Sequence, residues 1–105
     1  MEQVKIVVTV PLSHTEIVRE AIGKAGGGRV GNYTFCSFSI LGTGRFVPEE
    51  GSNPFIGERG KLESVEEERV EINCPRNEAK AVVEAIRKVH PYEEPAIDVY
   101  PLVSL

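Results

Sequence analysis

A short segment near the C-terminus contains several side chains that could do chemistry: His90–Pro91–Tyr92–Glu93–Glu94–Pro95. An imidazole and two carboxylates within five residues could bind a divalent metal ion or act as an acid–base pair. His90, Glu93 and Glu94 are therefore candidate metal ligands, and a metal site would need at least one more ligand from elsewhere. The alternative is structural, because a histidine is favourable at the C-terminal end of a helix and the carboxylates would then be solvated.

Glu67, Arg69 and Glu71 form a second candidate, since alternate residues of a strand share one face. An arginine flanked by two acids could form a buried or intersubunit ion network. The alternative is an ordinary solvated strand face.

Pro91 and Pro95 stiffen the segment around Tyr92, which favours a fixed position for that side chain and makes it a candidate for binding.

Two other features are better explained by structure than by chemistry. The run Gly26–Gly27–Gly28 follows a predicted helix, whereas a phosphate cradle needs glycines that lead into a helix N-terminus. Cys36 and Cys74 lie in apolar strand patterns, without the neighbouring base that an activated thiolate requires. No base–nucleophile pair is visible in the sequence, so an enzyme is the less favoured interpretation.

The elements that would position these residues follow the order βαββαβ. Hydrophobic periodicity predicts four strands, at Val4–Val10, Asn32–Leu41, Val65–Cys74 and Pro95–Val103, and two helices, after Ser13 and after Asn77. Ser13 and Glu16 form a capping box for the first helix, with Leu12 and Ile17 as its hydrophobic staple. This order predicts an α+β, ferredoxin-like fold in which two helices cover one face of an antiparallel sheet.

The second strand and the segment after it have unusual compositions. Apolar residues occupy both sides of the strand: Tyr33, Phe35 and Leu41 on one, Cys36, Phe38 and Ile40 on the other. Because the helices cover only one face of the sheet, a partner is expected on the other, which predicts a homo-oligomer. A long Gly-rich loop is predicted over about 42–62, and loops of this length in small domains are often functional.

Length and composition limit the remaining possibilities. A chain of 105 residues predicts a single domain over residues 1–105. The net charge of −4 makes a nucleic-acid partner unexpected. No apolar run is long enough to span a bilayer and no signal peptide is recognisable, so we expect no membrane partner and a cytoplasmic location.

The sequence resembles a known family over nearly its whole length. The resemblance is carried by Ala25–Tyr33 with Cys36–Phe38 after it, and by Gly42–Pro48, Gly51–Gly57, Glu63, Val65–Glu71 and His90–Tyr100. These resemble the YqfO-type domain, the PII/CutA-like insert of the Nif-three-like family, which also occurs as a free-standing small protein. The His–Pro–Tyr–Glu stretch is also similar to the corresponding part of CutA proteins.

The resemblance implies a PII/CutA-like fold and favours a trimer. It also implies that the family's dimetal site lies in domains outside this insert, so no metal ligand is carried over and no cofactor is expected. We therefore expect a non-enzymatic oligomeric module that binds a small ligand or a protein partner at subunit boundaries, through Asn53, Glu67, Arg69, Tyr92 and Glu93. The alternative is a divalent-metal-binding or metal-tolerance protein similar to CutA, with His90, Glu93 and Glu94 as ligands.

Overall fold

A computed structural model describes residues 2–105 and shows the βαββαβ order that the periodicity predicts. Its elements are β1 (Gln3–Pro11), α1 (Thr15–Lys24), β2 (Phe38–Phe46), β3 (Glu63–Pro75), α2 (Ala79–Val89) and β4 (Ile97–Pro101). A single 3₁₀ turn precedes each helix. None of the helices within residues 2–105 is both long and apolar enough to cross a membrane.

The four strands form one antiparallel sheet in the order β2-β3-β1-β4. Strand β1 is central, and its Ile6 lies opposite Ile72 of β3 and Val99 of β4. The two strands that each helix joins are therefore not neighbours in the sheet, as a split βαβ arrangement requires. This confirms the predicted ferredoxin-like fold class.

One face of the sheet is covered by both helices. Alternate residues of β1 and β3 are buried there with the apolar stripes of the helices: Val4, Ile6, Val8, Val10, Val70, Ile72, Cys74, Val18, Ile22, Val82 and Ile86. The period of two on the strands meets the helical period on α1 and α2, so a single continuous core results. The opposite face of the sheet has no helix of its own, and we call it the open face.

The predicted capping box of α1 is wrong. The helix begins at Thr15, and its N-cap residue His14 makes no side-chain capping bond. Ser13 Oγ instead lies 2.8 Å from Nδ1 of His14, while Leu12 and Ile17 are exposed and form no staple. The 3₁₀ turn after the strand accounts for the difference, because it moves the start of the α-helix past Ser13.

The predicted position of the second strand is also wrong, and so is the start of the long loop. Strand β2 extends to Phe46, so the loop comprises residues 47–62. Gly42 and Gly44 look like loop residues in the sequence but pair with Glu67 and Val65 of β3. Gly44 is in the strand for a steric reason, since a Cβ there would overlap the carboxylate of Glu67.

Candidate functional site

A cleft of about 900 Å³ lies at the end of the sheet where β2 ends and β3 begins. The last residues of β2, the loop of residues 47–62 and residues 92–96 before β4 meet there, together with Thr9 of β1 and Glu67 of β3. Its lining includes Thr9, Phe46, Glu67, Tyr92 and Glu93. The volume is in the range of small-molecule pockets.

A hydrogen bond between Tyr92 and Glu67 forms the polar centre of this cleft. The Tyr92 hydroxyl donates to Oε2 of Glu67 over 2.7 Å, and Glu67 is only 7% exposed. Burial raises the pKa of the Tyr92 phenol, and the adjacent carboxylate raises it further. The phenol therefore stays protonated at neutral pH and satisfies one oxygen of a carboxylate that has lost most of its water.

His90 fixes the position of Tyr92. It is buried, its Nδ1 lies 3.1 Å from the backbone nitrogen of Tyr92, and its Nε2 lies 2.8 Å from the carbonyl oxygen of Thr9. Because Nδ1 faces an N–H group it must accept, so Nε2 holds the proton and donates to Thr9. Burial lowers the pKa of His90 and favours the neutral ring that this arrangement needs.

The alternative that His90 serves the C-terminal end of a helix agrees with the position of its backbone but not with the contacts of its ring. His90 is the C-cap residue of α2, and its backbone N–H donates to the carbonyl of Ile86. Its ring, however, bonds to strand β1 rather than to the last carbonyls of the helix. The residue thus ties the segment after α2 to the end of the central strand.

Two phenylalanines that are not among the sequence-predicted site residues lie beside Tyr92. The ring centroids of Phe46 and Phe55 are 6.1 and 6.4 Å from that of Tyr92, and both pairs are tilted. Phe55 also meets the ring of His14 edge-on at 5.5 Å. The alternation along β2 could have indicated Phe46, since it falls on the same face as Gly44 and therefore close to Glu67.

The loop of residues 47–62 is held to the cleft by polar contacts. The backbone N–H of Asn53 donates to Oε1 of Glu93 over 2.8 Å. Within the loop, the guanidinium of Arg59 donates to the carbonyl of Ser52. The structure thus brings the predicted site residues Asn53 and Glu93 together, through the backbone of Asn53 rather than its side chain.

Arg69, the fifth predicted site residue, lies outside the cleft. Its Nε donates to Oε2 of Glu71 over 2.9 Å, and Nζ of Lys5 lies 3.6 Å from the other oxygen of Glu71. Glu67 and Arg69 share the open face of β3 but take different partners. The predicted ion network is therefore divided, with Glu67 in the cleft and Arg69 in a separate group on the sheet.

The three candidate metal ligands do not form a ligand cluster. Both ring nitrogens of His90 have backbone partners, and Oε1 of Glu93 accepts from the loop. Within residues 2–105, no group of three or more His, Cys, Asp or Glu side chains is arranged to hold a metal ion. Metal binding by His90, Glu93 and Glu94 stays a prediction from the sequence.

The described side chains give the cleft an acidic character. Five carboxylates line it, while Arg45 is the one basic side chain in the lining that residues 2–105 provide. The carboxylates are those of Glu49, Glu50, Glu67, Glu93 and Glu94. They create a negative potential, although no three of them within residues 2–105 are arranged to hold a metal ion.

The open face of the sheet is a second surface of interest. Phe38 and Ile40 of β2 lie there opposite Glu71 and Arg69 and are 63% and 50% exposed. Val7, in the centre of the same face, is only 4% exposed. Apolar side chains on a covered sheet would be buried, so the β2 side of this face is suited to contact with another molecule.

Comparison with known proteins gives several close relatives, although no family model matches the chain. A Halalkalibacterium halodurans protein named GTP cyclohydrolase 1 type 2 homolog is 55% identical over 100 residues, covering 95% of this chain and 27% of the relative. The Bacillus subtilis protein of the same name is 50% identical over 98 residues, covering 93% of this chain and 26% of the relative. This chain therefore spans about a quarter of the length of these relatives.

Solved structures show the same relationship. A Bacillus cereus protein related to NIF3 superposes with a TM-score of 0.85 at 50% identity, over 98% of this chain and 26% of that one. The divalent cation tolerance protein CutA from Archaeoglobus fulgidus gives 0.67 at 16% identity, over 95% of this chain and 83% of its own. Bacillus subtilis GlnK gives 0.65 at 16% identity, over 97% and 86%. The last two likenesses show the fold alone.

Proposed function

We propose that this chain, a YqfO-type, PII/CutA-like domain of the Nif-three-like family, is a non-enzymatic binding module. Its ligand is a small molecule or a protein partner, and its site is the cleft around Tyr92 and Glu67. The cyclohydrolase name belongs to proteins of which this chain matches about a quarter. We therefore base the proposal on the cleft and not on that name.

The observation that carries the proposal is the buried carboxylate of Glu67 in the wall of a large cleft. Burying a charged group is unfavourable unless its oxygens find partners. Here Tyr92 supplies one partner, and His90 and the two phenylalanines hold Tyr92 in place. A buried carboxylate that is held in a fixed position beside a pocket of about 900 Å³ is suited to recognising a ligand.

The protonation states of the cleft residues favour binding over proton transfer. His90 is neutral and uses both ring nitrogens in bonds to the backbone. The raised pKa of Tyr92 keeps its hydroxyl protonated at neutral pH. A general base needs an available lone pair and a pKa near the working pH, and neither residue meets both conditions in this arrangement.

Assembly is the second part of the proposal. The exposed Phe38 and Ile40 support a homo-oligomer in which the open face is covered by another copy, and the resemblance to PII and CutA proteins favours a trimer. Because Glu67 is on the same face of β3 as Arg69, this contact would bring the cleft to a subunit boundary. Ligand pockets occur preferentially at interfaces between domains, and a subunit boundary is an interface of the same kind.

Sedimentation velocity tests the assembly with a matched pair of variants. The wild type should sediment as a homo-oligomer at micromolar concentrations, and Ile40→Glu should shift it to the monomer. Ile17 on α1 is also 50% exposed, so Ile17→Glu adds the same charge outside the open face and should leave the oligomer intact. A wild type that sediments as a monomer would contradict the proposed assembly.

A thermal-shift panel of nucleotides, amines and divalent metal ions tests the binding function. Since a ligand of the folded state raises Tm according to its concentration and affinity, at least one compound should raise Tm in the wild type. The same compound should have a smaller effect on Glu67→Gln, which keeps the shape of the side chain. A panel that leaves Tm unchanged for the wild type speaks against a small-molecule site.

A further inference from the structure

We infer that the cleft binds a small organic cation, through an ammonium or guanidinium group held between the Glu67 carboxylate and the rings of Phe46 and Tyr92. This inference rests on the proposed binding function and adds the chemical class of the ligand. Three independent properties of the cleft support it: its charge, the free oxygen of a buried carboxylate, and its aromatic wall.

The charge of the cleft selects against anions. Five carboxylates and one guanidinium in the described lining give a net negative potential, which attracts cations and repels phosphate or carboxylate ligands. The potential is focused because the carboxylate of Glu67 is shielded from water. Charge alone does not separate an organic cation from a metal ion, and the two other observations do so.

The second observation concerns the free oxygen of Glu67. Tyr92 donates to Oε2, and no group among residues 2–105 donates to Oε1. Oε1 occupies the space above Gly44, where any Cβ would overlap it, and both residues line the cleft. A carboxylate that is more than nine-tenths buried and has an unused acceptor is suited to a hydrogen-bond donor that carries positive charge.

The third observation is the aromatic wall. Phe46 and Tyr92 both line the cleft, and their ring centroids are 6.1 Å apart. The faces of aromatic rings attract organic cations, whereas metal ions need a close set of oxygen, nitrogen or sulfur ligands. Within residues 2–105 no group of three or more His, Cys, Asp or Glu side chains is arranged to hold a metal ion, so the combination of rings and a single buried carboxylate fits an ammonium or guanidinium better.

Isothermal titration calorimetry of the full chain tests this inference with matched probes. Putrescine and 1,4-butanediol have the same carbon skeleton and differ in their terminal charges, and agmatine adds a guanidinium group. We expect putrescine or agmatine to bind and butanediol to give no heat of binding. The affinity should fall when salt is raised, because the attraction is electrostatic.

Variants locate the binding in the cleft. Glu67→Gln should weaken agmatine or putrescine at least tenfold, and Phe46→Leu should weaken it several-fold through loss of the ring. Glu84 is an exposed carboxylate on α2, so Glu84→Gln removes the same charge elsewhere and should bind as the wild type does. Thermal unfolding of each variant checks that it is folded. If Glu67→Gln does not fold, Phe46→Leu still tests whether the binding is in the cleft.

The outcomes separate this inference from the proposed function. Binding of ATP or Mn²⁺ without binding of either amine would overturn the organic cation and leave a ligand-binding module. Equal binding of putrescine and butanediol, or equal losses in Glu67→Gln and Glu84→Gln, would overturn it as well. Failure of every probe in calorimetry and in the thermal-shift panel would count against both.

The cation could be a free amine or a basic side chain of a second copy, and two further measurements distinguish these sources. Agmatine that binds without changing the sedimentation coefficient indicates a free ligand. Agmatine that dissociates the oligomer, together with a weaker oligomer in Glu67→Gln, indicates that a lysine or arginine of another copy occupies the cleft. Either result supports recognition of the cationic group.

Discussion

The two faces of the sheet differ in how their side chains are covered. On the helix-covered face, every alternate residue of β1 from Val4 to Val10 is buried by side chains of the same chain. On the open face, Val7 is buried, whereas Phe38 and Ile40 are largely exposed and a charged residue, Glu67, is buried beside them. The first face therefore stabilises the monomer by itself, and the second combines incomplete apolar cover with costly polar burial.

The difference indicates a division of work between the two faces. Apolar burial is favourable without further conditions, so the helix-covered face needs only size and shape. A buried carboxylate is favourable only while its partners stay in place. We therefore expect substitutions on the first face to change stability alone, and those around Glu67 to change stability and binding together.

The largest effect is expected in the core. Ile6 is fully buried in the centre of β1, so Ile6→Ala should lower the free energy of unfolding by about 2–5 kcal/mol through lost apolar burial and the cavity left behind. Urea denaturation measures this change. Ile40→Ala, on the open face, should lower the monomer's free energy of unfolding much less; an equal loss would mean that the open face stabilises the monomer as the helix-covered face does.

A smaller effect is expected at the polar centre of the cleft. Tyr92→Phe removes the donor to Glu67 and leaves a buried carboxylate oxygen without it, which should cost about 1–3 kcal/mol of unfolding free energy. Tyr33 is exposed, so Tyr33→Phe serves as the control and should be neutral. Equal stability of the two variants in urea denaturation would mean that the hydrogen bond does not stabilise the fold.

Two glycines of β2 differ in how close they lie to the Glu67 side chain. A Cβ at Gly44 would overlap the Glu67 carboxylate, whereas a Cβ at Gly42 would meet open space. Gly44→Ala should therefore displace the end of the Glu67 side chain and cost about 1 kcal/mol, in the lower range of overpacking effects. Gly42→Ala should be neutral or slightly stabilising, because alanine has less backbone freedom to lose. Urea denaturation measures the free energy of unfolding of both variants. Equal values would mean that the Glu67 side chain moves aside without loss of stability.

The elements of the helix-covered face were predictable because their signals are local. The alternation along β1 and the apolar stripes of both helices predict which residues are buried, and the structure buries Val18, Ile22, Val82 and Ile86. The start of α1 was not predictable from its capping residues. The 3₁₀ turn that replaces the capping box depends on how Thr15 packs against the end of β1, where its hydroxyl lies 3.5 Å from the carbonyl of Pro11.

The cleft was harder to predict because its contacts join distant parts of the chain. The sequence indicated Glu67 and Tyr92 separately, but their hydrogen bond spans 25 residues. Gly42 and Gly44 were assigned to the loop because glycine usually interrupts a strand. At Gly44 the need for glycine comes from the Glu67 side chain on the neighbouring strand, which no local pattern records, whereas a Cβ at Gly42 would meet nothing.

The last prediction concerns the pH dependence of the segment that holds Tyr92. Burial, the largest influence, lowers the pKa of His90, while its bond to Thr9 and the charge of Glu67 oppose this and the charge of His14 adds to it. In the unfolded chain the histidine has its ordinary pKa, near 6.5. As pH falls, the unfolded chain therefore takes up this proton at a higher pH than the folded chain does. The contribution of His90 is therefore fully present above about pH 6.5 and is lost as pH falls below it.

Protonation also reverses the role of Nδ1, which would then face the N–H of Tyr92 as a second donor. Acid should therefore loosen Tyr92 and reduce ligand affinity as well as stability. Urea denaturation of the wild type between pH 7.5 and 5 should show this loss. His14→Gln should retain most of it, because burial and not the charge of His14 is the largest influence on the pKa of His90. His90→Gln should have a flatter profile over the same range. An equally steep profile in His90→Gln would assign the acid sensitivity to other groups and leave His90 a packing residue.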